Sequence, residues 1–160
     1  MISTILQWLS AELNRNYPNE APIVKLSNVP AYSIEGERRV AANQIILSLA
    51  GFSAIPASAS KTTGFKLGVS NSNDANLKPE IKAVFVADFD DLNYIQGIDR
   101  LEEIYQFLQK NEPWEADFGY EKLKVEIKND AGTRSDLSLM MRGASGKFLP
   151  TISCTIKVLA

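Results

Sequence analysis

The sequence predicts a two-layer α+β domain, a largely antiparallel sheet of about five strands packed against two long amphipathic helices. Three observations predict it. Apolar residues recur at helical spacing in two segments, one at the amino terminus and one past the middle of the chain. Five other stretches alternate polar with apolar residues or run apolar throughout, as strands do. The chain of 160 residues is 45% apolar, enough to bury one sizeable core and too apolar for a disordered chain. A single domain spanning 1–160 is the expectation.

The first helix is carried by Ile2, Ile5, Leu6, Leu9 and Leu13, with Trp8 beside the stripe, Ser3 or Thr4 near its start and Asn16-Tyr17-Pro18 to stop it. Pro22 to Val29 reads as a first strand closed by Pro30, and Gln44 to Gly51 as a second. Ile81 to Phe89 is the third, and its consecutive apolar residues mark a central strand buried on both faces. The segment from Phe52 to Glu80 is rich in Ser, Ala, Thr, Asn and Gly, and reads as a long loop or a hairpin arm. The arm reading rests on Phe65, Leu67 and Val69, which alternate and would order against a neighbouring subunit.

Asn93 opens the second helix, with Gln96 completing a capping box. Tyr94, Ile98, Leu101, Tyr105 and Leu108 form its stripe, flanked by Ile95 and Ile104, and Asn111-Glu112-Pro113 ends it. Trp114 and Phe118 then read as loop aromatics that either lid the core or anchor an interface. Tyr120 to Lys128 alternates as a half-exposed antiparallel strand. Thr133 with Asp136 caps a short helix ended by Gly143, and Thr151 to Leu159 is the last strand.

Composition closes several function classes. There is no histidine, which removes the commonest general base, the commonest zinc ligand and every imidazole-dependent triad. Cys154 is the single cysteine, so neither an internal disulfide nor a thiolate cage can form, and its mid-strand position reads as buried and inert. A net charge of −2 with scattered Lys and Arg leaves no footprint for nucleic acid. The amino terminus carries no basic n-region and no run approaches a membrane span, so a soluble, cytoplasmic product without membrane partners is expected.

Asp88, Asp90 and Asp91 form the most enzyme-like cluster, since carboxylates at a strand's end can hold magnesium. They serve equally as acids ahead of a helix N-terminus, and no phosphate loop accompanies them. Ser145-Gly146-Lys147 is too short for such a loop and precedes a strand. Arg38 and Arg39, in a charged turn, suit bidentate pairing with a partner's carboxylates. No cofactor is expected.

Four motifs, in order, carry a resemblance that spans nearly the whole chain. These are Ile2, Leu6, Leu9, Leu13 and Asn14 on the first helix; Val84 to Phe89; Phe107 to Pro113; and Gly146 to Thr151. Together they resemble the amino-terminal domain of tail-terminator or cap proteins from extracellular contractile injection systems, the phage-tail-like particles of the antifeeding-prophage and virulence-cassette type. Met141 and Cys154 stand where the resemblance leads to a tryptophan and an aromatic. The resemblance implies a tail-terminator-like fold and a hexameric ring that ends the inner tube and anchors the last sheath ring. Tube and sheath proteins are the implied partners. The protein would be cytoplasmic during assembly and then part of an extracellular or cytoplasmic particle.

On this reading the protein is structural rather than catalytic. The interface candidates are Phe65, Leu67, Val69, Arg38, Arg39, Trp114, Lys147, Phe148, Thr151, Ile152, Thr155 and Ile156, with the last strand or the arm engaging a neighbour by strand addition. Another tail component, such as a tube-initiating or baseplate adaptor, and a metal-dependent enzyme using Asp88, Asp90 and Asp91 are the alternatives.

Overall fold

A computed structural model describes residues 1–17, 20–27, 41–56, 77–109, 112–130 and 149–159. Helix α1 spans Ile2–Arg15, and β1 is only Val24–Leu26. Strands β2 (Gln44–Pro56) and β3 (Leu77–Asp88) lead through a 3-10 turn at Asp91–Asn93 into α2 (Tyr94–Leu108). Strands β4 (Trp114–Asp117), β5 (Lys122–Asn129) and β6 (Thr151–Val158) follow. The α+β class is as expected. Among the described residues the sheet has six strands rather than five, in the order β1-β2-β3-β6-β5-β4. It is mixed, because β1 runs parallel to β2 while the other neighbouring pairs are antiparallel.

The extra strand is β4, which the sequence reading places in a loop. Trp114 and Ala116 turn inward while Glu115 and Asp117 stay exposed, a period-two pattern too short to stand out after Pro113. Trp114 packs edge-on to Trp8 with ring centroids 6.3 Å apart and against Phe107 at 5.1 Å. It is a core aromatic, as is the half-buried Phe118. The anticipated short helix and Gly143 lie outside the described residues.

The segment at 52–80 also reads differently. Strands β2 and β3 stay paired from Gln44↔Asp88 out to Pro56↔Leu77, so residues 52–56 and 77–80 are strand rather than loop. Residues 57–76, with Phe65, Leu67 and Val69, lie outside the described residues. The register shifts between Leu49 and Gly51, a bulge that puts Leu49 and Phe52 on one face although they are three residues apart.

Strand β3, third in the order, is buried on both sides as its apolar run predicts. Ile81, Ala83, Phe85 and Ala87 join the main core beneath the helices, while Val84 and Val86 form a second cluster with Ile46 and Leu149 on the opposite face. Strand β5 shows the expected alternation, with Leu123, Val125 and Ile127 buried.

Helix α1 buries Ile5, Leu6, Trp8, Leu9 and Leu13, and it begins at Ile2, so Ser3 and Thr4 fall inside its first turn. On α2 the buried line is Gly97, Leu101, Ile104 and Leu108, only part of the stripe read from the sequence; Tyr94, Ile95 and Ile98 are exposed. Gly97 sets this rotation. A Cβ there would lie 2.8 Å from Phe89 Cδ2 and 2.9 Å from Cγ, so the helix seats on the Phe89 ring only because no side chain intervenes.

Gly97→Ala is therefore expected to lower stability by about 1 kcal/mol, because overpacking of ~1–3 kcal/mol outweighs the ~1 kcal/mol gain in helix propensity. Urea unfolding checks this. An unchanged or raised midpoint would show that Phe89 moves aside freely.

Candidate functional site

A six-strand sheet offers backbone edges, and the candidate site is the edge left open. At β1, Val24 turns its own N–H and C=O away from β2, whose bonds go instead to its neighbours: Ile45 N–H donates to Ile23 O and Ser27 N–H to Leu47 O. Asn14 on α1 takes both free groups. Its Nδ2 donates to Val24 O and its Oδ1 accepts from Val24 N–H, each at 2.9 Å. A side-chain amide thus stands in for a further strand. The far edge, β4, is four residues long with exposed Glu115 and Asp117, the usual means of blunting an edge.

Strand β6 does not present an edge, which corrects the strand-addition role given to Thr151 to Leu159. It pairs with β3 from Thr151 to Lys157 and with β5 from Cys154 to Val158. Ile156 is fully buried, and the buried Thr155 hydroxyl donates to the Asp130 carboxylate at 2.8 Å. Ile152 packs against the core. Arg38, Arg39, Lys147 and Phe148 lie outside the described residues.

The open edge belongs to β2. Its pairing with β1 stops at Leu47, and among the described residues no strand flanks it from Leu49 to Pro56. On the other side the hairpin outruns its neighbour: the last β3–β6 pair is Glu80↔Lys157, while β3 continues to Leu77. Pro79 removes a donor from that side. Leu49 and Phe52 sit on the overhang, and Phe52 is 64% exposed. A long backbone edge beside exposed apolar side chains templates the addition of another strand. The sequence reading missed Asn14 as an edge cap and stopped β2 at Gly51.

The acidic cluster is absorbed into the join between β2, β3 and α2. Asp88 is buried and accepts from Ala42 N–H at 3.2 Å. Asp90, not Asn93 with Gln96, makes the helix-entry cap: its Oδ1 accepts from Asn93 N–H at 2.9 Å and from Asn93 Nδ2 at 2.8 Å. It also exchanges two bonds with Asn43, whose φ of 52° is the left-handed conformation that asparagine tolerates. The Asn43 amide, aided by Asn93, holds the Asp90 carboxyl below its usual range. Among the described residues no group of three or more His, Cys, Asp or Glu is placed to hold a metal.

Two shallow clefts border the helices. One, of about 380 Å³, lies between Leu13, Tyr17, Glu103 and Phe107. The other, of about 280 Å³, lies between Ala42, Asn43, Phe89 and Arg100. Their carboxylates are already engaged: Glu20 and Glu103 pair with Arg100 at 2.8 and 3.2 Å, and the Tyr17 hydroxyl donates to Glu103 at 2.5 Å. Arg100 also lies over the Tyr17 ring, 5.1 Å from its centroid. Burial, with a contribution from Asp130, pushes the Cys154 thiol up to about 12, so no thiolate is available there at neutral pH.

The sequence matches no family model and no curated protein. Among the described residues no helix is long and apolar enough to cross a membrane.

Asn14→Ala is expected to leave the Val24 N–H unpaired and the Val24 carbonyl with only the long 3.5 Å bond from the Ser10 hydroxyl, and to cost about 1–2 kcal/mol. Denaturant unfolding measures this. A loss under a few tenths of a kcal/mol would mean that solvent replaces the amide without penalty.

Proposed function

We propose that the chain is a structural cap, or tail terminator, of a contractile injection system, assembling as a hexameric ring on the end of the inner tube and anchoring the last sheath ring. The observation that carries this reading is the overhanging β2–β3 hairpin, with its open edge from Leu49 to Pro56 and its exposed Phe52, in a sheet whose remaining edges are closed by Asn14 or shortened at β4. The ordered motifs from the first helix to Gly146–Thr151 supply the family. The edge supplies the means of assembly.

The mechanism is steric and templated. A ring closes when each subunit offers one surface and receives a different one, so a single hairpin reaching a neighbour suffices to generate it. Strand addition at β2 brings main-chain hydrogen bonds, and Phe52 brings an anchor that leaves water on docking. The ring then covers the growing face of the tube. In this role the acidic cluster serves the helix entry rather than chemistry, which is why the metal-enzyme alternative carries less support. The particle location follows from the same reading.

The test is the solution mass by light scattering, with and without the tube protein, for the wild type, for Phe52→Glu, and for a chain in which 57–76 is replaced by Asn-Gly to close the hairpin at Pro56 and Leu77. The wild type should form hexamers, alone or on tube. Phe52→Glu should fold normally and weaken association by roughly 2 kcal/mol or more, about thirtyfold. A wild-type monomer indifferent to tube, or intact rings in both variants, would overturn the proposal.

A further inference from the structure

Helix α2 carries more apolar surface than the sheet uses. Its buried line, Gly97, Leu101, Ile104 and Leu108, leaves Tyr94, Ile95 and Ile98 on the flank and outer face away from Arg100, with Leu92 just before the helix. Leu92 is 96% exposed and Ile95 67%. Single exposed apolar residues are ordinary, but four within seven residues of one helix start form a patch of the kind that marks an interaction site.

Among the described residues from Asp90 to Glu103, the charge beside this patch is acidic. Asp91, Asp99 and Glu102 are exposed beside it. The only base between Asp90 and Glu103 is Arg100, which sits on the opposite flank, held by Glu20 and Glu103. None of the described salt bridges includes Asp99 or Glu102. Nucleic acid and anionic membrane surfaces are repelled by such a rim. A polypeptide with apolar side chains flanked by lysine or arginine meets both features at once, seating its anchors on Leu92 and Ile95 and its cations on the acids.

We propose that the amino-terminal flank of α2 is a docking surface for a basic, amphipathic segment of a partner protein. This surface is separate from the β2 edge. It goes beyond the cap reading and does not depend on it.

The probe is a synthetic amphipathic peptide of leucine and lysine at helical spacing, with its leucine–glutamate counterpart as control, titrated into the full chain labelled with nitrogen-15. The lysine peptide should shift amide signals saturably between Leu92 and Glu102, less so in high salt. The glutamate peptide should not. Leu92→Ser combined with Ile95→Ser, both solvent-facing, should weaken binding roughly tenfold or more while leaving the circular dichroism spectrum unchanged. Asp99→Asn with Glu102→Gln should also weaken it, and Phe52→Glu should bind as the wild type does. Shifts that map elsewhere, equal binding of the glutamate peptide, or an unaffected double serine variant would overturn the proposal. Signals that move with protein concentration alone would also overturn it, by showing that a second copy covers this flank.

Discussion

The pair of hydrogen bonds between Asn14 and the backbone of Val24 is the constraint from which the rest of the arrangement follows. Six residues earlier on the same helix, Trp8 meets Trp114 on the strand at the opposite end of the sheet order. One helix of 14 residues therefore touches both terminal strands of a six-strand sheet. A flat sheet would hold its terminal strands about 24 Å apart at the usual strand spacing, while Trp8 and Asn14 are separated by only about 9 Å of helix. The sheet must curl around its core to meet α1 at both ends. Ile5, Leu9 and Leu13 fill the space inside the curl.

Curling settles which backbone edges remain. The β1 side is occupied by an amide, and the β4 side is short and acidic. Among the described residues, the β2–β3 hairpin alone escapes the curl, because it runs past the last pairing of β6 and past the end of β1. The bulge at Leu49 and Gly51 gives the overhang its own twist and gathers Leu49 and Phe52 on one face. A stable domain and an exposed edge thus coexist without conflict: the curled part supplies stability, and the overhang supplies reach.

Much of this was legible in the residues. The helical spacing of Ile5, Leu9 and Leu13, the apolar run through Phe85 and the alternation through Val125 announce elements whose local pattern agrees with their place in the fold. What was not legible depends on partners distant in the chain. Nothing around Asn14 shows that its amide will meet Val24. Gly51, Pro56 and Pro79 argue locally against strand, yet the ladder between β2 and β3 runs through Gly51 and Pro79 and ends only at Pro56. The wide stripe of α2 could not show which half faces inward, because the choice rests on Gly97 meeting Phe89. The acidic cluster looked chemical because its partners Ala42 and Asn43 lie more than forty residues upstream.

Amide hydrogen exchange along β2, compared between the isolated protein and the protein assembled on tube and sheath, tests the central claim most directly. The account predicts that the outward amides between Leu49 and Ile55 exchange fast in isolation and become protected on assembly, while those of Ile45 and Leu47 stay protected in both. Fast exchange that persists unchanged in the particle would contradict it, because the open edge would then have no strand to receive.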